Sequence, residues 1–375
     1  MEKKTKVPKL RFPGFTEDWE QRKVIDVAPL QRGFDLPTSK MEDGNYPVVM
    51  SNGINGYHSE FKVRAPGVVT GRSGTIGKLH YIEDNYWPHN TTLWVTDFKG
   101  NDSWYVYYMY QKLDLSQFST GSGVPTLNRN DVHNAIVDIP TLDEQVCISR
   151  FFNRLDNLIT LHQRKLTHLQ AKKKSLLQKM FPKKGERFPE LRFPGFTDAW
   201  EQRKFGDMVN RVSNTSKETD LPRVEYEDIL SGMGELNKNV HEKESFKTGI
   251  EFEPGDVLFG KLRPYLKNWL LADFKGVAVG DFWVLRSNIL DSNFLYCLIQ
   301  TPKYNEAANL STGTKMPRSD WNVVSKTEFL NPVDEQEQRE IGVFFTNLDN
   351  LITLHQRKLT HLQKQKKALL QQMFV

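Results

Sequence analysis

The sequence predicts an α+β protein made of two similar domains, each followed by a long helix. Three observations carry this: two blocks of internal repeat, a heptad seam inside the second block, and short strand-like runs between the blocks. PKLRFPGFTEDWEQRK at residues 8–23 returns as PELRFPGFTDAWEQRK at 189–204. LDNLITLHQRKLTHLQ at 155–170 returns unchanged at 348–363. The first block shifts by 181 residues and the second by 193, so the stretches they enclose differ in length. Constant frames therefore hold variable inserts, a layout suited to presenting two different recognition surfaces on one scaffold.

The opening blocks carry Phe12, Phe15 and Trp19, and again Phe193, Phe196 and Trp200. Large aromatic rings so placed read as packing anchors. Behind them come β-branched and aromatic runs punctuated by Gly, Asn and Asp: YPVVM, APGVVTG and TTLWVTDF, then GDVLFG and GDFWVLRS. These predict strands joined by tight turns. SWYVYYMYQKL and NFLYCLIQTPKYNEAANL predict one or two helices per region. The regions align beneath their divergence. Gly71-Arg72 matches Gly260-Lys261, Lys78 matches Lys267, Trp94-Val95 matches Trp283-Val284 and Gln111 matches Gln300, all at one offset of 189. Ser119-Thr120-Gly121 and Val124-Pro125 match Ser311-Thr312-Gly313 and Met316-Pro317 at 192.

The second block predicts a long helix. Ile148, Phe152, Leu155, Ile159, Leu166, Leu169, Leu176 and Met180 step by four and three, with His162 and Lys173 in the remaining seam slots. Ile341, Phe345, Leu348, Ile352, His355, Leu359, Leu362, Lys366, Leu369 and Met373 repeat the pattern. This is a sustained heptad seam. An amphipathic helix on a globular surface is the alternative, but two equal copies in one chain can pair with each other. About 40 residues at 1.5 Å each make a rod of about 60 Å. Pro182 stops the first copy and residues 183–187 form a polar link. The cluster Lys172, Lys173, Lys174, Lys179, Lys183 and Lys184 could touch phosphate, although a solvated helix end explains it more simply.

A net charge of +5 and a pI near 8.9 accord with a polyanion partner or with an ordinary basic protein. Cys147 and Cys297 belong to no CxxC or Cys/His cluster, so a reduced thiol pair without metal is expected. The first ten residues lack an apolar signal core and no run is long enough to span a membrane, which predicts a cytoplasmic protein.

Catalytic signatures are missing from the sequence. GDVLFGKL at 255–262 fits GxxxxGK, but Leu262 stands where a hydroxyl would reach magnesium and Pro264 follows where a nucleotide-binding helix should begin. No GxGxxG, HExxH, GxSxG or [DN]PP[YF] occurs. Nucleic-acid binding fits what is left. GRSGTIGK offers Arg72, Ser73, Thr75 and Lys78; its counterpart GKLRPYLKN offers Lys261, Arg263, Tyr265, Lys267 and Asn268. The second matched loops add Ser122, Asn128 and Arg129 in one region, Lys315 and Arg318 in the other. Glycine lets backbone approach phosphate, and these donors reach phosphates or base edges. Exposed turns without function would look the same.

Taken together, LRFPGFTEDWEQRK and its near-copy LRFPGFTDAWEQRK opening the two halves, GRSGTIGK and GKLRPYLKN in the variable regions, and the LDNLITLHQRKLTHLQ helices resemble the specificity subunit of type I restriction-modification systems. The resemblance covers essentially the whole chain. It implies two target-recognition domains at about 1–139 and 189–331, each reading half of a bipartite DNA site. It also implies antiparallel coiled-coil spacer helices at about 140–181 and 332–375, a linker at 182–188, and pseudo-two-fold symmetry. The spacers would fix the gap between half-sites, and their equivalent residues His162 and His355 would meet near the helix centres. Implied partners are double-stranded DNA, two methyltransferase subunits and two restriction/translocase subunits, with no membrane. S-adenosylmethionine, ATP and magnesium would be bound by those partners and no cofactor or metal by this chain, which would not be catalytic. Two rivals remain: a stand-alone pseudo-dimeric DNA-binding regulator, and a fused methyltransferase-nuclease, which requires motifs the sequence does not contain.

Overall fold

Each opening block is bolted to the first turn of a long helix by the same buried carboxylate. In the computed structural model the helices span Leu142–Lys179 and Glu335–Met373. Arg11 donates through Nε and Nη2 to the two carboxylate oxygens of Glu144 at 2.7 and 2.8 Å, and Trp19 Nε1 adds a third bond at 3.2 Å. Arg192, Trp200 and Glu337 repeat this at 2.7, 2.8 and 3.2 Å. Both glutamates are 1% exposed, so their charge is tolerable only because a planar guanidinium fork meets it in two places. The tryptophans are the expected anchors. Trp19 packs edge-on against Tyr105 and Phe374; Trp200 packs against Phe294 and Phe181. Phe12 and Phe193 meet Phe151 and Phe344 edge-on.

The structure describes residues 7–120, 125–218, 220–242, 245, 247–310 and 316–375. They fall into two units, one from residues 7–161 with 359–375, the other from within residues 162–358. In the first, a four-stranded antiparallel sheet runs in the order Leu30–Arg32, Thr92–Val95, Gly67–Gly71, Leu79–Ile82. In the second, the order is Asn210–Val212, Phe282–Arg286, Val257–Gly260, Trp269–Leu271. Glu20–Lys23 pairs antiparallel with Ile136–Ile139, as Glu201–Lys204 does with Glu328–Asn331. Strand-like alternation and β-branched content thus become strands in both units.

One further sheet in each unit differs from its counterpart. Unit one has Gly53–His58, Tyr46–Met50 and Trp87–Pro88; unit two has Thr215–Ser216, Gly249–Phe252, Gly276–Ala278 and Arg223–Val224. Arg223, 1% exposed, is held there by three backbone carbonyls, those of Leu221, Lys247 and Glu218.

Helix Ser103–Leu113 begins where the Asp102 carboxylate accepts from Tyr105 N at 2.8 Å, and it buries Tyr105, Val106, Tyr108, Met109 and Tyr110. Its counterpart Ser292–Leu298 is capped by Asp291 in the same way, and Pro302–Asn309 follows from a Thr301 cap. Gln145 and Gln338 tie these caps to the long helices, each accepting from the Asp102 or Asp291 N–H at 3.0 Å.

The long helices pair antiparallel within each unit. In unit one, Asp156 meets Lys366 at 2.7 Å and Phe152 meets Phe374. Leu155, Leu359 and Leu362 are buried and Ile159 is half-buried. In unit two, Lys173 meets Asp349 at 2.5 Å and His162 Nδ1 lies 2.9 Å from His355 Nδ1. Leu166, Leu348 and Ile352 are buried there, and Leu169 is half-buried. The polar seam slots are thus filled by two ion pairs and an imidazole pair. Lys173 departs from the expectation of a solvated helix end, since its side chain is 13% exposed and its ammonium is engaged. Leu177, not Leu176, is the buried leucine near the end of the first helix. A 3.6-residue turn drifts against a seven-residue repeat, and the local neighbours decide which side chain faces inward.

Candidate nucleic-acid interface

The two loops singled out in each region are laced together at equivalent positions. Leu127 N donates to Arg72 O at 2.8 Å in unit one; Ser319 N donates to Lys261 O at 2.8 Å in unit two. A single β-bridge joins Ser73 to Thr126, and another joins Leu262 to Arg318. All four pairs follow the sequence offsets of 189 and 192. The lacing converts two separate turns into one surface at the C-terminal ends of the inner strands Gly67–Gly71 and Val257–Gly260.

Turn chemistry differs between the copies. Gly74 and Gly77 adopt φ of 81° and 72° in unit one, where a left-handed backbone favours glycine. Unit two makes its turn with Arg263 and Lys267 at φ of 49° and 57°, flanking the short 3-10 segment Pro264–Leu266. No nucleotide-binding helix follows Gly260 and Lys261, in keeping with the rejected phosphate-loop reading.

Thr75, Lys78, Asn128 and Arg129 are exposed in unit one, while Arg72 and Ser73 are half-buried. Lys78 Nζ donates to Asn52 O at 2.7 Å. Asn128 caps Arg129–Asn134, its side chain accepting from Asn130 N. In unit two, Tyr265, Lys267 and Arg318 are exposed and Lys261 and Arg263 half-buried. Asn268 departs from the expectation of a free donor: it is 6% exposed, with Oδ1 accepting from Ser231 Oγ at 2.8 Å and its carbonyl from Gly260 N. Its amide braces the loop from beneath. Ser122 and Lys315 lie outside the described residues.

Sequence reasoning missed two supports. Asp281 faces Lys261 at 3.6 Å and Arg318 at 2.9 Å, so the two cations share one anion. Tyr226 OH accepts from Leu262 N at 2.9 Å and donates to Asp281 O at 2.7 Å. A Gly-Asp turn before a strand was visible at Gly280-Asp281, but its partners come from residues far apart in the chain.

No group of three or more potential metal ligands occurs among the described residues, and no helix among them is long and apolar enough to cross a membrane.

A family model described as the type I restriction modification DNA specificity domain matches residues 16–171 and again 197–364. The MjaVIII specificity subunit of a type I restriction enzyme from Methanocaldococcus jannaschii is 23% identical over 300 residues, covering 72% of this chain and 68% of that protein. The EcoDI specificity subunit from Escherichia coli is 20% identical over 271 residues, covering 63% of this chain and 61% of that protein. The crystal structure of a type I restriction-modification S subunit from M. genitalium superposes with a TM-score of 0.68 at 15% identity, covering 98% of this chain and 99% of the other. That likeness extends the shared fold over both units.

Proposed function

We propose that this chain, which belongs to the type I restriction modification DNA specificity family, selects the DNA site for such a system by reading it in two halves. The carrying observation is the equivalent lacing of two loops in each unit, with different side chains displayed on it. Arg72, Thr75, Lys78, Asn128 and Arg129 face one half-site; Lys261, Arg263, Tyr265, Lys267 and Arg318 face the other. Arginine and lysine reach guanine edges and phosphates, and threonine and asparagine complete the contacts.

The long helices set the gap between half-sites. Four seam-compatible residues inserted after Leu169 add about 6 Å of helix. At about 3.4 Å per base pair the gap then widens by one or two pairs. Catalysis belongs to partners: two methyltransferase subunits using S-adenosylmethionine, and two restriction/translocase subunits using ATP and magnesium. The number two has a counterpart on the chain. Leu158 and Leu161 are 45% and 46% exposed, and their repeats Leu351 and Leu354 are 47% and 61% exposed. Each is an apolar pair one helical turn apart, a fit for the same subunit docking twice.

The test is to map N6-methyladenine in a genome carrying this chain and its methyltransferase. A bipartite motif is expected, and exchanging residues 72–78 for another sequence should change one half alone. Change in both halves, or in neither, would overturn the assignment of one half-site per unit.

A further inference from the structure

Unit two contains a groove of 510 Å³ between the recognition loop and the paired helices. Lys173, Lys174 and Gln178 line it from the first long helix, Asp349 from the second, and Tyr265 and Lys267 from the loop. Its charge is lopsided. Asp349 is the acidic residue of the lining, and it is already committed to Lys173 at 2.5 Å; Lys173 also donates to Gln300. Lys174 and Lys267 are exposed, and no hydrogen bond or ion pair engages either ammonium among the described residues. Two uncompensated cations, a phenol and an amide therefore face one space, a set that selects an anion offering several oxygens.

Lys267 is also fixed in place. Its left-handed backbone donates to Pro264 O and accepts from Gly232 N, both at 2.9 Å. The equivalent Lys78 in unit one spends its ammonium on Asn52 O. Tyr265 and Lys267 belong at once to the recognition loop and to this groove, so a strand leaving the loop is led toward Lys174.

We propose that this groove binds the phosphate backbone of the gap DNA next to the half-site read by unit two, a sequence-independent grip beyond the recognised bases. This rests on the DNA-recognition reading above. Duplex DNA carries one charge per about 1.7 Å of axis, so a backbone crossing the groove satisfies both cations.

The experiment uses the full chain assembled with its methyltransferase subunits and a duplex bearing its mapped site. Lys174→Gln should weaken binding on the order of fivefold at 0.15 M salt and flatten the log–log salt slope by about 0.9. The methylated motif should stay unchanged. Lys172→Gln, on the same helix outside the groove, should change neither. Methylphosphonates replacing the gap phosphates beside that half-site should erase the difference between Lys174→Gln and the parent chain. Parent-like affinity and slope for Lys174→Gln would overturn the proposal, as would an equal loss in Lys172→Gln. Loss of methyltransferase subunits with an unchanged salt slope would likewise overturn it, giving the groove to protein. A parent complex that prefers no sequence would instead remove the recognition reading itself.

Discussion

Asp156 and Asp349 occupy the same place in the two copies of the helix repeat, yet one is fully satisfied and the other is not. Asp156 receives the Lys366 ammonium at 2.7 Å and the Tyr108 hydroxyl at 2.8 Å. Asp349 receives Lys173, but the position of Tyr108 is taken by Cys297, and Asp349 Oδ2 is buried without a hydrogen-bond partner. Trp104, which stacks on Tyr81 in unit one, is Asn293 in unit two, where it accepts from Thr346. Burial raises the carboxyl of Asp349 above its ordinary range, with Lys173 opposing. The duplicated element is the frame; the inserted regions have altered even what the frame leans on. Polar groups on the constant helices therefore have different energetic weight in the two units.

The first way to break this comparison is at the part that did not diverge. Glu144→Gln and Glu337→Gln each strip the charge from a carboxylate held by Arg and Trp. Each should cost about 3 kcal/mol, the low end for breaking a buried pair, because glutamine keeps the shape. Urea unfolding should give the same loss in both variants. A gap between them well beyond about 0.5 kcal/mol would show that matching geometry conceals unequal environments.

A smaller and unequal effect is expected one step along the seam. Lys173→Met leaves Asp349 with no partner and should cost about 2 kcal/mol, whereas Lys366→Met leaves Asp156 its phenol and should cost about 1 kcal/mol. The pH dependence supplies the signature. With the folded carboxyl raised, the unfolded chain ionises first, near pH 4, so the Lys173→Met loss should deepen as pH climbs through the raised value. Adding Tyr108→Phe to Lys366→Met should bring unit one to the Lys173→Met behaviour. Equal losses for the two single methionine variants would mean that the phenol contributes nothing.

Much of the frame was legible in the sequence because it is written twice. The repeated Arg, Trp and Phe positions, the heptad seam and the Gly-anchored loops all recur at fixed offsets, and each lies in an equivalent place in the two units. The pairing of Arg11 with Glu144 was not legible, since 133 residues separate them and nothing local links the two. Asn268 was misread for a related reason. A polar residue in a basic loop looks like a donor to a ligand, and only the fold shows that Ser231 and Gly260 already use it. Asp281 and Tyr226 went unnoticed because their role is to neutralise and brace other residues, which leaves no spacing in the chain.

The smallest expected effect is at the point where the repeat meets itself. His162 and His355 face each other with Nδ1 atoms 2.9 Å apart, and Lys165 and Lys358 contribute further positive charge. A neutral pair can share one hydrogen, one ring donating and the other accepting; two imidazolium ions there would repel. Burial lowers the His162 imidazole below its ordinary value, with His355, Lys165 and Lys358 adding to the shift. The sign follows: a depressed folded value means that the contribution is present above the unfolded value, near 6.5, and fades as pH falls through the folded one. Both rings are only half-buried, so a few tenths to about 1 kcal/mol is at stake. Unfolding of the parent chain and of His162→Gln/His355→Gln should be compared at pH 8 and pH 5.5. The parent should lose more stability on acidification than the double variant. If both lose the same amount, the imidazoles only fill space in the seam.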